Sequence, residues 1–466
     1  MKNRKLRLGL FALMGILIFA GCEKEETKPT QSIVQLAQAQ PNLTSLVTAL
    51  TKFPDLVSTL SGTGNFTVFA PTNDAFTALL ATIGQTSIND VPETVLKSLL
   101  QYHVITSGTL LSTQLTAGDV VTANTESISV TTTGDIKLNG SAKVLTADVR
   151  ANNGVVHIID QVLVPPTMAR FVNTVVAPAY FNKNFTTLIA AVTAASPSIL
   201  EILLNSSKKT LFAPTNDAFT AAGITTLPPR ATLDAVLAYH VIGSELKVSQ
   251  FPSNAAPENS PITTSEGVFY LSNRGSNGVF INGRTRVTAT DIMEDNGVVH
   301  VIDRTLIPPS QTIAQIATAL STTSPGAEFT QLVAALGRVP ALLDAASAEG
   351  SNLTVFAPTD AAFSELYTAL GVAGINDIDI STLTAVLQHH IISSPTTPTG
   401  RIFSSDLITG SVPTLNGNIN INASSGTVTS GNGTVANISS NAALVNVLAT
   451  NGVIHTINKV LLPASK

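Results

Sequence analysis

The chain of 466 residues has one cysteine, no tryptophan and little charge. A single cysteine excludes a disulfide framework within the chain and any zinc site built on cysteines. Charged residues make up 12% with a formal net charge of −5, and the absence of a basic block argues against a nucleic-acid partner. Aromatic residues make up only 5%, so the stacking platforms typical of glycan sites are sparse.

The hydrophobic residues, in contrast, amount to 44% of the chain, which is enough for packed cores and excludes wholesale disorder. At roughly 100–200 residues per domain, the length indicates about three domains.

The N-terminus is typical of an exported lipoprotein. Four basic residues precede the uncharged run Leu8–Ala20, which is shorter than the ~20 residues that span a bilayer. This pattern predicts a signal peptide over residues 1–21. Small residues before Cys22 resemble a bacterial lipobox, so we expect a lipid on Cys22 as the only membrane anchor; the alternative is a secreted protein with a stray thiol.

An acidic tether over residues 22–31 follows the cysteine. It resembles the surface-export signal of Bacteroidetes lipoproteins, and this favours the outer membrane with the domains facing the cell exterior. The alternative is a plain spacer on a protein that faces the periplasm.

Two motifs occur three times. The segment around Phe-Ala-Pro-Thr recurs with its prolines, Pro71, Pro214 and Pro358, 143 and 144 residues apart. An Asn-Gly-Val-Val/Ile-His segment recurs around His157, His300 and His455, and the third unit is longer by a short insertion. Periods of this length indicate whole domains, predicted at 32–166, 167–309 and 310–466.

Each unit is predicted to begin with an amphipathic helix, for which Leu43, Leu46, Val47 and Leu50 give the i, i+3, i+4, i+7 pattern. A short buried strand ending at the proline, a further helix and a strand-rich tail follow. Helices come first and β-pairing later, which predicts an α+β fold with a largely antiparallel sheet.

These motifs, in this order and at domain spacing, resemble the fasciclin-like domain family. The resemblance implies three tandem domains, each a wedge of two β-sheets with several packed helices. It also implies an extracellular or surface protein that acts in adhesion.

The seven histidines admit two interpretations, as metal ligands or as structural groups. His103, His240 and His390 each extend the apolar stripe of a helix, and His157 lies between apolar residues of a strand. We therefore expect structural histidines, which can bond the last carbonyls of the helix, and no metal site.

The acidic residues of the repeats also indicate structural roles. Asp160 and Asp303 become Asn458 in the third unit, a change that a turn tolerates and general acid–base catalysis does not. Nucleophile-elbow, phosphate-loop and zinc-protease motifs are missing from the sequence. The sequence thus predicts no catalytic residues, no cofactor and no enzymatic activity.

Two features are candidates for partner binding, with core packing as the alternative for both. In the family, the Tyr-His region is implicated in integrin binding, and Asp291-Ile292-Met293 looks like an adhesion tripeptide. The corresponding candidate residues are Tyr102, His103, Tyr239, His240, His389, His390, Asp291, Ile292 and Met293.

The predicted function is non-enzymatic adhesion, or interaction with a cell envelope or extracellular matrix, through a protein or glycan on that surface. Tandem domains joined by proline-containing linkers would multiply weak contacts through avidity. The alternative is a surface lipoprotein that binds a small molecule or glycan.

Overall fold

The computed structural model describes residues 28–253, 256, 258–323, 326–393, 400–441 and 443–464. The predicted signal peptide, Cys22 and most of the acidic tether lie outside the described residues. Contacts divide the chain into two compact units. One comprises the chain to Asn73 with His103–Asp160, and the other comprises Asp74–Tyr102 and the chain from Gln161 onward.

The helices lie mainly in the first half of each repeat. They are α1 (Ile33–Gln38), α2 (Thr44–Leu50), α3 (Pro54–Ser61), α4 (Asn73–Thr82), α5 (Glu93–Tyr102), α6 (Pro166–Ala169), α7 (Ala177–Tyr180), α8 (Thr186–Ala194), α9 (Pro197–Leu204), α10 (Asn216–Ala221), α11 (Arg230–Tyr239), α12 (Ile313–Thr322), α13 (Thr330–Gly337), α14 (Pro340–Ser347), α15 (Asp360–Leu370) and α16 (Ile380–His389).

The strands lie mainly in the second half of each repeat. They are β1 (Phe66–Pro71), β2 (Val104–Ile105), β3 (Gly118–Val121), β4 (Ser127–Thr131), β5 (Lys137–Leu138), β6 (Ala142–Ala151), β7 (Gly154–Ile159), β8 (Lys209–Pro214), β9 (Val241–Ile242), β10 (Ser260–Thr264), β11 (Gly267–Asn273), β12 (Val279–Ile281), β13 (Thr285–Glu294), β14 (Gly297–Ile302), β15 (Leu353–Pro358), β16 (Ile391–Ser393), β17 (Gly410–Pro413), β18 (Asn418–Asn422), β19 (Thr427–Thr429), β20 (Val435–Asn437), β21 (Val447–Ala449) and β22 (Gly452–Ile457).

The predicted amphipathic helices form, and their starts follow ordinary capping chemistry. The stripe from Leu43 to Leu50 becomes a short 3₁₀ turn followed by α2. Thr215 and Thr359 cap α10 and α15, since each side-chain oxygen accepts a hydrogen bond from a backbone N–H of the first turn. The buried strand before each cap ends at its proline, as predicted.

The prediction that each unit begins with that amphipathic helix is wrong, because a further helix precedes it. In the first and third repeats this helix is α1 or α12, and each starts with a capping box, Ser32 with Gln35 and Thr312 with Gln315. In the second repeat, Pro166 occupies the first turn of α6, so this helix begins at the residue predicted to end the first domain.

The fold is α+β, and the first two repeats have the same sheet topology. Seven strands follow the order β2-β1-β7-β6-β5-β4-β3 in the first repeat, and β9-β8-β14-β13-β12-β11-β10 in the second. Pairing is antiparallel except between β1 and β7 and between β8 and β14, where the two repeated motifs lie side by side in parallel. The sequence motifs thus form adjacent central strands.

The third repeat differs because its long strand is interrupted. In the second repeat β13 runs unbroken from Thr285 to Glu294 and pairs with both β12 and β14. In the third repeat two separate strands make these pairings: β20 pairs with β19, and β21 pairs with β22. Residues 438–446 lie between β20 and β21. The result is two four-stranded sheets, β16-β15-β22-β21 and β17-β18-β19-β20.

The second and third repeats each contain two apolar cores. In the second repeat, one core packs helices against β8 and β14, around Leu188, Leu237 and Val299. The other lies among the strands, around Phe212, Phe269 and Ile281. The third repeat repeats this division. Within the described ranges, no helix combines the length and the apolar character that crossing a membrane requires.

Candidate functional site

The Tyr-His positions lie inside the fold. Six side chains are at most 3% exposed: those of Tyr102, His103, Tyr239, His240, His389 and His390. A partner on the surface therefore does not touch these side chains in this conformation. Their role in binding stays a prediction, and the structure shows what they hold in place.

His240 and His390 connect a helix end to the segment that closes the repeat. His240 Nδ1 donates to the carbonyl oxygen of Val236 at 2.6 Å, and its Nε2 accepts from the backbone N–H of Leu306 at 2.9 Å. His390 makes the same pair of bonds with Val386 and Leu461, both at 2.8 Å. Both ring nitrogens are used by the neutral tautomer, and burial lowers the pKa of each histidine to about 4.

The strand histidines have a second structural role, between the sheet and a loop. His300 Nε2 donates to the carbonyl oxygen of Leu246 at 2.8 Å, and its Nδ1 accepts from the backbone N–H of Asp291 at 3.3 Å. His157 makes the corresponding bonds in the first repeat. Burial lowers the pKa of both histidines, so they too are neutral at pH 7.

Asp291 is a structural residue of the tripeptide Asp291-Ile292-Met293. It lies at an irregularity of β13 with a left-handed φ of 56°, and its carboxylate accepts from the backbone N–H of Val248 at 2.8 Å. Ile292 is half-buried against the helical core, whereas Met293 is 46% exposed. Only Met293 offers a large apolar surface to a partner.

The Asn-Gly pair of the second motif joins the start of each repeat to its last hairpin. Asn296 accepts from the backbone N–H of Val175 and donates to the carbonyl oxygens of Leu203 and Asn205. Asn153 and Asn451 make equivalent bonds. The pair marks a structural junction, which explains why all three repeats have it.

The turn acids likewise satisfy backbone groups. Asp303 accepts from the N–H of Arg286 at 2.7 Å, and Asn458 makes the same contact with Asn437 at 2.7 Å. An amide oxygen thus replaces a carboxylate without loss, as the sequence predicted for a turn role. No cluster of three or more metal-ligating side chains is present in the described part of the chain.

A buried polar interface between the second and third repeats was not predicted from the sequence. Arg274 pairs with Asp406 at 2.6 Å, and Asn259 donates to the other carboxylate oxygen at 2.8 Å. Arg401 lies 4.7 Å from the centre of the Tyr270 ring and bonds to its hydroxyl. These residues lie outside the repeated motifs, so periodicity gave no signal for them.

The family model described as Fasciclin domain matches residues 41–165, 183–308 and 327–463. These matches cover most of the chain, and the chain therefore belongs to the fasciclin domain family.

Relatives include bacterial and animal proteins. Protein sll1483 of Synechocystis sp. is 40% identical over 141 residues, which are 30% of this chain and 77% of that protein. Transforming growth factor-beta-induced protein ig-h3 of Oryctolagus cuniculus is 30% identical over 345 residues, covering 72% of this chain and 45% of that protein. Periostin of Homo sapiens is 29% identical over 350 residues, covering 72% and 37%. The chain spans less than half of the length of these two animal proteins.

Among solved structures, a FAS1 domain pair from the insect cell adhesion molecule fasciclin I is similar with 19% identity and a TM-score of 0.28. The match covers 60% of this chain and 97% of that one.

Proposed function

We propose that the protein is a non-enzymatic surface protein that acts in adhesion or in contacts with a cell envelope or extracellular matrix. The observation that carries the proposal is the use of the repeated polar groups. His240, His300 and Asp291 are occupied by backbone hydrogen bonds inside the fold, and so are not poised for acid–base chemistry. Membership of the fasciclin domain family favours adhesion over catalysis.

The contact with the partner is proposed to involve Met293. Its side chain is 46% exposed on β13, and the neighbouring Asp291 and Ile292 fix the backbone that presents it. Exposed methionine suits protein partners because its flexible side chain adapts to an apolar surface. The second and third repeats pack together through the Arg274–Asp406 pair, so their surfaces are presented in a fixed arrangement.

Adhesion is tested on intact cells. Cells with the wild-type protein, cells without it and cells with Met293→Asp are compared for retention on layers of matrix protein and of like cells. We expect retention to fall when the protein is absent and to fall similarly with Met293→Asp. Val121→Ser is the matched control, since Val121 is 60% exposed in the first repeat. Equal retention without the protein contradicts adhesion, and full retention with Met293→Asp contradicts this contact.

The location is part of the proposal: a lipid on Cys22 holds the protein at the outer membrane with its domains outside. The support is the sequence around Cys22 and the acidic residues that follow it. Cys22→Ala should release soluble protein, and protease added to intact cells should digest the wild type. Protection of the wild type on intact cells contradicts the outward orientation.

A further inference from the structure

A cleft of about 630 Å³ lies where the second and third repeats meet. The second repeat contributes the turn between β12 and β13, and the connecting segment 304–311 lines the cleft as well. The third repeat contributes α12 and residues from the insertion that interrupts its long strand, including Ala443 and Asn446. A cleft of this size falls within the range of small-molecule sites.

Two arginines line this cleft, Arg284 from the turn and Arg304 from the connecting segment. Burial, and secondarily the charge of Arg304, lowers the pKa of Arg284. Neither side chain belongs to any of the ion pairs found in the described ranges. Arg304 donates to the carbonyl oxygen of Ala221, and the guanidinium of Arg284 has no hydrogen bond or ion pair within the part of the chain that the structure describes.

Other half-buried or buried arginines of the same unit are paired. Arg274 bonds to Asp406, Arg401 donates to the carbonyl oxygen of Thr450 at 2.6 Å, and Arg338 donates to that of Ile378 at 2.9 Å. Two neighbouring cations without a counter-charge are unfavourable in a partly desolvated cleft. Arg304 has a backbone carbonyl as its partner, as Arg338 has, but neither Arg284 nor Arg304 has a carboxylate partner among the described residues.

The remaining lining has both an uncommitted donor and apolar surface. Thr305 is 4% exposed, and its hydroxyl has no hydrogen-bond partner in the part of the chain that the structure describes. Ile307 is 54% exposed, and Leu320 of α12 is half-buried beside the same cleft. A ligand that fits this lining has a negatively charged head and an apolar portion.

We propose that the cleft binds a small organic anion, with a carboxylate between Arg284 and Arg304 and an aliphatic portion against Ile307 and Leu320. The planar guanidinium groups match a carboxylate through paired hydrogen bonds. The site needs both repeats. Arg284 belongs to the second repeat and Arg304 to the segment that follows it, whereas Leu320 and the insertion belong to the third repeat. It is independent of the proposed adhesive contact at Met293.

The test is calorimetric titration of the full chain with octanoate, with the lipid removed by Cys22→Ala. We expect a Kd of about 1 mM or tighter, and at least about tenfold weaker binding for Arg284→Gln and for Arg304→Gln. Arg286→Gln is the matched control, because Arg286 lies exposed on β13, two residues after Arg284, and does not line the cleft. Octanol, which lacks the charge, should bind at least about tenfold more weakly than octanoate.

Several results would overturn the proposal. The first is that the wild type does not bind octanoate. The second is that Arg284→Gln and Arg304→Gln bind octanoate as tightly as the wild type does. The third is that the wild type binds octanol as tightly as octanoate. Glucuronate is the hydrophilic probe, and binding tighter than that of octanoate would overturn the aliphatic part. Octanoate should also raise the melting temperature of the wild type and of Arg286→Gln but not of Arg284→Gln. Arg304→Lys keeps a charge and should bind better than Arg304→Gln, which separates loss of charge from misfolding.

Discussion

The corresponding helices α11 and α16 of the second and third repeats end in different side chains, Tyr239 and His389. In the second, the hydroxyl of Tyr239 donates to the carbonyl oxygen of Val268 at 2.8 Å and so joins α11 to β11. In the third, His389 contacts the carbonyl oxygen of Asn416 at 2.6 Å and accepts from the N–H of Gly431 at 3.2 Å. The position requires a buried ring with a polar tip, and two residue types meet that requirement.

The two repeats also differ at the strand histidine. In the second, His300 Nδ1 accepts from the backbone of Asp291. In the third, Asn446 occupies the corresponding left-handed position, with a φ of 53°, and accepts from the N–H of Ser404 at 2.8 Å. His455 Nδ1, however, is buried and has no hydrogen-bond partner among the residues that the structure describes. The interrupted strand thus preserves the loop contact but not the contact with the histidine.

The largest expected effect concerns a feature that both repeats share, the glycine of the Asn-Gly pair. A Cβ at Gly297 would overlap the carbonyl oxygen of Lys209, and a Cβ at Gly452 would overlap that of Leu353. Because the obstacle is the backbone of the parallel strand, we expect Gly297→Ala and Gly452→Ala each to cost more than about 3 kcal/mol. Urea unfolding measures this cost.

Gly243→Ala is the control for both variants, because a Cβ at Gly243 meets no atom within 4 Å. Near-wild-type stability of Gly297→Ala or Gly452→Ala would contradict the close approach of the two central strands.

The second prediction is that the helix-end histidines are equivalent. His240→Ala and His390→Ala each leave a cavity and orphan the N–H of Leu306 or Leu461. We expect a loss of about 3 kcal/mol in each repeat by urea unfolding. Added zinc or a chelator should leave the melting temperature of the wild type unchanged. A large metal-dependent shift would instead identify these residues as ligands.

The third prediction is that acid weakens the third repeat more than the second. Burial lowers the pKa of His240, His390 and His455 to about 4, from an ordinary value of 6.5. Between these values the unfolded chain binds protons that the folded chain does not. This contribution to stability is therefore complete above pH 6.5 and lost as the pH falls toward 4. At pH 5 the loss is about 2 kcal/mol per histidine, and the third repeat has two of the three.

The second repeat has an opposing group. Burial and the charge of Asp295 raise the pKa of Glu294 to about 7, from an ordinary value of 4.5. Between pH 7 and 4.5 the folded repeat therefore binds a proton that the unfolded chain does not, and acidification over this range stabilises the folded repeat. Burial also lowers the pKa of His300, which acts in the opposite direction. Hydrogen exchange at pH 7 and 5 should show a greater loss of protection in β22 than in β14. An equal loss in the two strands would contradict the prediction.

The smallest expected effect concerns the hydroxyl group of Tyr239, whose contribution can be separated from that of its ring. Tyr239→Phe keeps the packing and removes the bond to Val268, leaving a buried carbonyl oxygen without this donor. We expect a loss of about 1 kcal/mol in urea unfolding. His389→Phe removes two contacts in the third repeat and should cost more. The reverse order would mean that the polar tip matters less than the shape of the ring.

Helix patterns and the structural roles of single residues could be predicted from the sequence, because they depend on residues that are close along the chain. The stripe from Leu43 to Leu50 and the structural histidines both follow from spacing along the chain. The early helices α1 and α12 were missed although their capping boxes gave a signal. The binding role of the Tyr-His residues and of Asp291-Ile292-Met293 stays a prediction.

By itself, the sequence determined the α+β class and the threefold repetition, since both follow from periodicity and motif order. Tertiary structure alone decided that β1 and β7, or β8 and β14, lie parallel as central strands. It also decided the contacts of Arg274 with Asp406 and the juxtaposition of Arg284 with Arg304. These residues occur outside the repeated motifs and become neighbours only through packing of distant segments, for which sequence periodicity carries no information.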